Sequence, residues 1–193
     1  MKRMLEHCDL YFLCKIIMMS YLAPEEESRF YNIINNTFNY DTKFTIGVNF
    51  GIKDIFLHEL KGFVRFQIWD LNMQDHFMDV KKKYLIGANA LLIILNSKEG
   101  GLISKVQKKV NQLKTEYQVD KTPYPIIVLV DKGNFYPRSR IFNTTIAKII
   151  GVDDYFEFDL TTGKLVEETF QIIAKLLAKN VINHPVTRKT LLN

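Results

Sequence analysis

Three consecutive carboxylates follow a proline in Pro24-Glu25-Glu26-Glu27. Such a cluster has two chemical uses. Carboxylate oxygens suit hard divalent cations such as magnesium or calcium, and Asp70 could join a set of this kind if the fold brought it close. The same residues also suit the first turn of a helix. Proline gives up only an amide that a helix start leaves free, and acids meet the positive end of the helix dipole. The second use is the expected one, because nothing in the spacing draws Asp70 to the triplet. Cys8 and Cys14, with His7 beside the first, have no CxxC or HxxxH spacing. They are expected to be reduced, partly buried thiols rather than metal ligands, and no metal centre is expected. The one dense basic block is Lys81-Lys82-Lys83, in a chain of net charge +5 and pI near 9.1. A triple lysine on a helix is expected to be a solvated face, so no nucleic-acid partner is inferred.

These residues sit between segments of alternating type. Residues 11–19 are strongly apolar, broken only by Lys15, and read as a buried strand. Residues 26–36 carry Phe30, Ile33 and Ile34 at helical spacing. Residues 44–57 and 63–69 alternate apolar and polar positions around Leu60-Lys61-Gly62, which predicts a hairpin with Gly62 at the turn. Residues 75–86 suggest a helix ended by Gly87, and 90–95 an apolar strand. A helix over 101–117, a strand over 124–130, a helix over 140–150 stopped by Gly151, a strand over 155–158 and a helix over 164–178 complete the pattern. Strands alternating with helices predict an α/β fold: a six-stranded, mostly parallel sheet, one antiparallel edge strand, and helices on both faces.

The chain has 193 residues, 47% hydrophobic and 24% charged, which is enough to bury a core without disulfides or metal. One domain over 11–180 is expected, with a short extension over 1–10 and a loose tail over 181–193. No apolar run reaches the about eighteen residues of a membrane span. Glu6, Asp9 and Lys15 interrupt residues 1–19 and no small-residue cleavage site follows, so no signal peptide is expected. Leu191-Leu192-Asn193 offers no cysteine for a prenyl anchor. A cytoplasmic protein is expected. Membrane-surface binding through Lys81–Lys83 with Arg188 and Lys189 would need an apolar face beside the charges, and the sequence shows none there.

Longer segments are more specific. Thr45-Ile46-Gly47-Val48-Asn49-Phe50-Gly51-Ile52-Lys53, then Phe66-Gln67-Ile68-Trp69-Asp70 with Gln74 and Phe77, resemble the switch regions of Ras and Rab small GTPases. Gly87-Ala88-Asn89-Ala90-Leu91 and Gly163-Lys164-Leu165-Val166-Glu167-Glu168-Thr169-Phe170 extend the resemblance, which covers nearly the whole chain in order and spacing. It implies a P-loop small-GTPase fold.

The resemblance also shows what has changed. The family's phosphate loop, GxxxxGK[ST], falls on 20–27, where Ser20 and Glu25 replace the glycines, Pro24 removes an amide, and Glu26 and Glu27 stand at the Lys and Ser/Thr positions. Two unit charges about 4 Å apart interact by roughly 4 kcal/mol at an effective dielectric near 20. Exchanging Lys for Glu therefore swings phosphate binding by ~8 kcal/mol, or roughly five decades of affinity. Thr45 and Asp70 match the family's magnesium contacts, and Gln74 matches the residue that orients attacking water. Met73, however, stands where the family has a glycine whose amide meets the γ-phosphate. The base motif NKxD falls on Asp131-Lys132-Gly133-Asn134, keeping Lys132 but placing Asn134 where two guanine donors need a carboxylate. The second base motif falls on Asp159-Leu160-Thr161 and departs throughout, while Phe38 matches the base-edge aromatic.

The expected function is a pseudo-GTPase: a protein-interaction module with weak or no GTP binding, and no cofactor. Its partner surface would be 45–77, with Val48, Phe50, Phe63, Trp69 and Phe77 as anchors. The alternative is a divergent enzyme that binds GTP or GDP with magnesium through Thr45, Asp70, Lys132 and Asn134, and hydrolyses GTP slowly using Gln74.

Overall fold

A computed structural model describes residues 10–35, 48–71, 83–96, 102–117, 124–132, 140–163 and 165–183. Its strands are β1 (Leu10–Ser20), β2 (Val48–Leu57), β3 (Gly62–Leu71), β4 (Ala90–Asn96), β5 (Ile126–Asp131) and β6 (Asp154–Phe158). Among the described residues the helices are α1 (Pro24–Asn35), α2 (Leu102–Tyr117), α3 (Arg140–Ile150) and α4 (Val166–Asn183). The strands form one sheet in the order β2-β3-β1-β4-β5-β6. Only β2 and β3 run antiparallel; every other neighbour is parallel. This is the α/β architecture that the alternation predicts.

Burial explains the order. The apolar runs of β4 and β5 are covered on both faces, as parallel central strands must be. Side chains alternate between two cores. One gathers Ile16, Met18, Phe66, Leu92 and Leu129 under α1 and α4. The other gathers Ile17, Met19, Leu91, Ile93 and Val128 under α2 and α3. Fully burying one such side chain contributes about 1.5–3 kcal/mol. Phe170 of α4, with its ring 6.2 Å from that of Phe66, is 1% exposed; truncating it to Ala would cost about 3–5 kcal/mol.

The hairpin forms as expected, with one difference. The chain turns through a single 3-10 turn, His58–Leu60, and the left-handed residue is Lys61 (φ 47°, ψ 39°), not Gly62. Gly62 already belongs to β3, opposite Leu57 on one side and Leu10 on the other. The turn needs its positive φ one residue before the strand starts, and Lys61 stands there at a cost of about 1–2 kcal/mol. At the other end of the fold, Gly151 (φ 74°) closes α3 as expected, and the Val152 amide donates to the Ala147 carbonyl at 3.0 Å. β1 includes Leu10, and α4 runs to Asn183, past the position where the tail is expected to begin.

Candidate functional site

The carboxyl ends of β1, β3, β4 and β5 lie side by side, and α1 begins just beyond β1. In open α/β sheets this edge is where ligands bind. Ser20 ends β1, and its Oγ accepts the Leu22 amide at 3.4 Å. The chain then enters α1 directly. The Glu27 amide donates to the Ala23 carbonyl at 2.8 Å, so Ala23 caps the helix and Pro24, Glu25 and Glu26 form its first turn.

Ala23 has no side-chain oxygen to cap that turn. Glu26 does the reverse half of the job: its Oε2 accepts the Ala23 amide at 3.3 Å, the return arm of a capping box. The same carboxylate meets Asn96 at the end of β4, whose Nδ2 lies 2.7 and 2.6 Å from its two oxygens. Glu26 is only 7% exposed. A carboxylate thus lies folded into the helix N-terminus, where amides and dipole would otherwise attract an anion. Glu25 is exposed.

Asp70 sits at the end of β3, 1% exposed, and neither carboxylate oxygen has a hydrogen-bond partner among the described residues. Burial, reinforced by the charge of Glu27, pushes its pKa up to about 8. Glu27, half-buried, is itself raised by burial. Two acids raised by burial therefore face the same edge, and the charge of Glu27 opposes ionisation of Asp70.

The remaining positions are tied down in other ways. Lys132 is drawn towards β6, its Nζ 3.0 Å from Oε1 of Glu157, an oxygen that also accepts the Tyr155 hydroxyl at 2.9 Å. Asp131 accepts the Leu160 amide at 3.0 Å. Asp159 accepts the amides of Thr161 and Thr162 and the Thr162 hydroxyl. Burial works against its charge, but these hydrogen bonds outweigh burial and hold its pKa below the usual value. The loop after β6 is thus closed on its own side chain.

On the hairpin, Phe50, Phe63 and Trp69 are half-buried in aromatic pairs. Phe50 and Trp69 centroids lie 4.8 Å apart, and Phe56 and Phe63 centroids 5.0 Å. Trp69 also packs against Tyr84 and under Lys15 Nζ, at 5.6 Å each. Val48, expected as an anchor, is buried in the core beneath α2 and α3 instead. Phe38, Thr45, Met73, Gln74, Phe77, Lys81, Lys82 and Asn134 lie outside the described residues.

Two participants are invisible to motif reading. Asn96 is a single polar residue closing an apolar run, and that contrast is its only signal. Glu157 gives none, since it stands between Phe156 and Phe158 in a short strand.

Residues 27–179 match the family model described as the Ras family. The chain is 24% identical over 178 residues to the Ypt/Rab-type GTPase ypt7 of Schizosaccharomyces pombe, covering 88% of this chain and 84% of that protein. It is 26% identical over 182 residues to the Ras-related protein Rab7 of Prunus armeniaca, covering 87% and 83%. It is 26% identical over 184 residues to the Ras-related protein Rab-32A of Dictyostelium discoideum, covering 91% and 83%.

Proposed function

The chain belongs to the Ras family, and from that premise we propose that it is a pseudo-GTPase, a small-GTPase fold that works as a protein-interaction module with weak or no GTP binding. The observation that carries this reading is Glu26. The residue aligned with the family's phosphate-binding lysine is an acid, and its carboxylate is engaged by the Ala23 amide and the Asn96 side chain. A nucleotide phosphate would have to displace a like charge from the helix start. The residues present do not fit a phosphate. Magnesium is no better served: the family holds it through phosphate oxygens and the loop's Ser/Thr hydroxyl, and Glu27 stands at that hydroxyl's position.

The partner is a protein that docks on the outer face of the β2–β3 hairpin. β2 is the edge strand of the sheet, and the half-exposed rings of Phe50, Phe63 and Trp69 offer apolar anchors beside it.

A second reading, a divergent GTPase, draws on Asp70, whose buried carboxylate is kept without a hydrogen-bond partner among the described residues. Both readings are separated by purifying the protein in magnesium, denaturing it and assaying the supernatant for nucleotide, then titrating fluorescent GTP and GDP. No released nucleotide and no saturation are expected. Stoichiometric GDP or GTP would overturn the pseudo-GTPase reading.

A further inference from the structure

The two helical layers carry very different charge. Helices α2 and α3, side by side on one face, contain Lys105, Lys108, Lys109, Lys114, Arg140 and Lys148 against the single acid Glu116. Their excess of five equals the net charge of the whole chain, leaving 20 of its 26 Lys and Arg against 20 of its 21 Asp and Glu elsewhere. Helices α1 and α4 on the opposite face contain five acids (Glu25, Glu26, Glu27, Glu167 and Glu168) and three bases.

The basic layer also exposes apolar side chains. Ile149 is 50% exposed and Ile103 38%. They belong to one patch, because Gln107, one turn after Ile103 on the same stripe of α2, donates to the Ile149 carbonyl at 2.9 Å. Lys105, Lys108 and Lys148 are exposed on the same two helices. Lys109 stacks over the Tyr21 ring at 4.0 Å, and Lys114 donates to the Gly151 carbonyl at 2.6 Å, tying α2 to the end of α3. The patch is therefore held on two braced helices.

We propose that the α2–α3 layer docks on an anionic lipid bilayer, with Lys105, Lys108 and Lys148 over the headgroups and Ile103 and Ile149 entering between them. Charge complementarity selects an anionic partner, and the isoleucines select lipid. A nucleic-acid face would offer aromatic or arginine stacking in their place. This patch supplies the apolar side chains beside basic ones that the Lys81–Lys83 block alone does not offer. It lies on different residues from the hairpin, so both surfaces can be engaged at once and neither proposal depends on the other.

Flotation of the full chain with vesicles tests this. Phosphatidylcholine vesicles with phosphatidylserine should carry the protein up at low salt, and vesicles of phosphatidylcholine alone should not. A basic residue near such a surface is worth about 1 kcal/mol, or roughly fivefold in affinity. The triple variant Lys105→Glu, Lys108→Glu, Lys148→Glu should therefore lose binding by more than a hundredfold. The double variant Ile103→Ser, Ile149→Ser should weaken it several-fold, and Lys175→Glu with Lys179→Glu on the opposite layer should leave it in place. Circular dichroism checks that each variant is folded. Absence of binding to the phosphatidylserine vesicles overturns the proposal, as does binding that survives the triple variant. Binding indifferent to the isoleucines and matched by heparin would also overturn it, by showing general polyanion attraction.

Discussion

Asn96 Nδ2 lies 2.7 and 2.6 Å from the two carboxylate oxygens of Glu26, which joins the end of β4 to the first turn of α1 across the edge where the family binds phosphate. Removing Glu26 would leave both the Ala23 amide and the Asn96 amide short of an acceptor. Glu26→Ala should destabilise the fold by about 1–2 kcal/mol, the usual cost of a lost cap, while Glu26→Gln, which keeps an oxygen, should cost less. Urea unfolding measures both. Replacing Glu26 with Lys and Glu27 with Thr together should not create tight GTP binding, because Pro24 and the missing glycines still deny the loop its amides. Nanomolar affinity in a fluorescent GTP titration of that double variant would show that charge alone had closed the site.

Asp70 sets a pH dependence whose sign can be worked out. Burial and Glu27 raise its pKa in the folded protein from an ordinary 3.8 to about 8, so the folded state holds a proton that the unfolded chain gives up. Its contribution is fully present below the unfolded value and is lost as pH rises through the folded one. Without added metal, the urea midpoint should fall as pH climbs from 3.8 towards about 8, and Asp70→Asn should flatten the fall. The variant should exceed the parent at the alkaline end by an amount on the order of a few kcal/mol, at roughly 1.4 kcal/mol per pH unit. A parent curve that rises over this window would place an ionised Asp70 in the folded protein.

Lys53 is 3% exposed on β2 and lies 2.6 Å from Glu167, which is 50% exposed at the start of α4. The pair is unequal. Losing Lys53 returns Glu167 to water, whereas losing Glu167 takes an acid partner from a buried cation. Glu167→Gln should therefore cost more than Lys53→Met, by about 1–2 kcal/mol once the exposure of Glu167 is allowed for. Lys53→Met in the Glu167→Gln background should recover most of that loss in chemical denaturation.

Cys14 is fully buried on β1, and burial pushes its thiol up to about 12. The thiolate that reacts with disulfide and maleimide reagents is then absent at neutral pH. In a Cys8→Ser variant, native protein should leave Cys14 unlabelled and denaturant should expose one thiol per chain. Rapid native labelling would mean that β1 separates from its neighbours.

How far these features can be read from sequence depends on their range. The apolar runs of β4 and β5 and the spacing of Val106, Val110 and Leu113 on α2 encode burial within a few residues, and the elements follow. Pro24 and the three glutamates likewise announce the start of α1, and the resemblance around Trp69 and Asp70 gives the topology. What could not be read is pairing at a distance. Asn96 with Glu26, Lys132 with Glu157 and Lys53 with Glu167 depend on strand order and register, which no local pattern specifies. The turn at Lys61 escaped for a different reason: glycine is favoured at positive φ, but strand pairing had already claimed Gly62.

The core beneath α1 has a consequence for how the protein is made. Phe30 of α1 has its ring 5.8 Å from that of Phe158 on β6, in a cluster completed by Phe170, Ile173 and Leu177 of α4. The core under α1 is therefore completed only when α4 arrives. Until then the apolar positions that α4 covers are open to chaperones, while β2, β3 and β1 could already be paired.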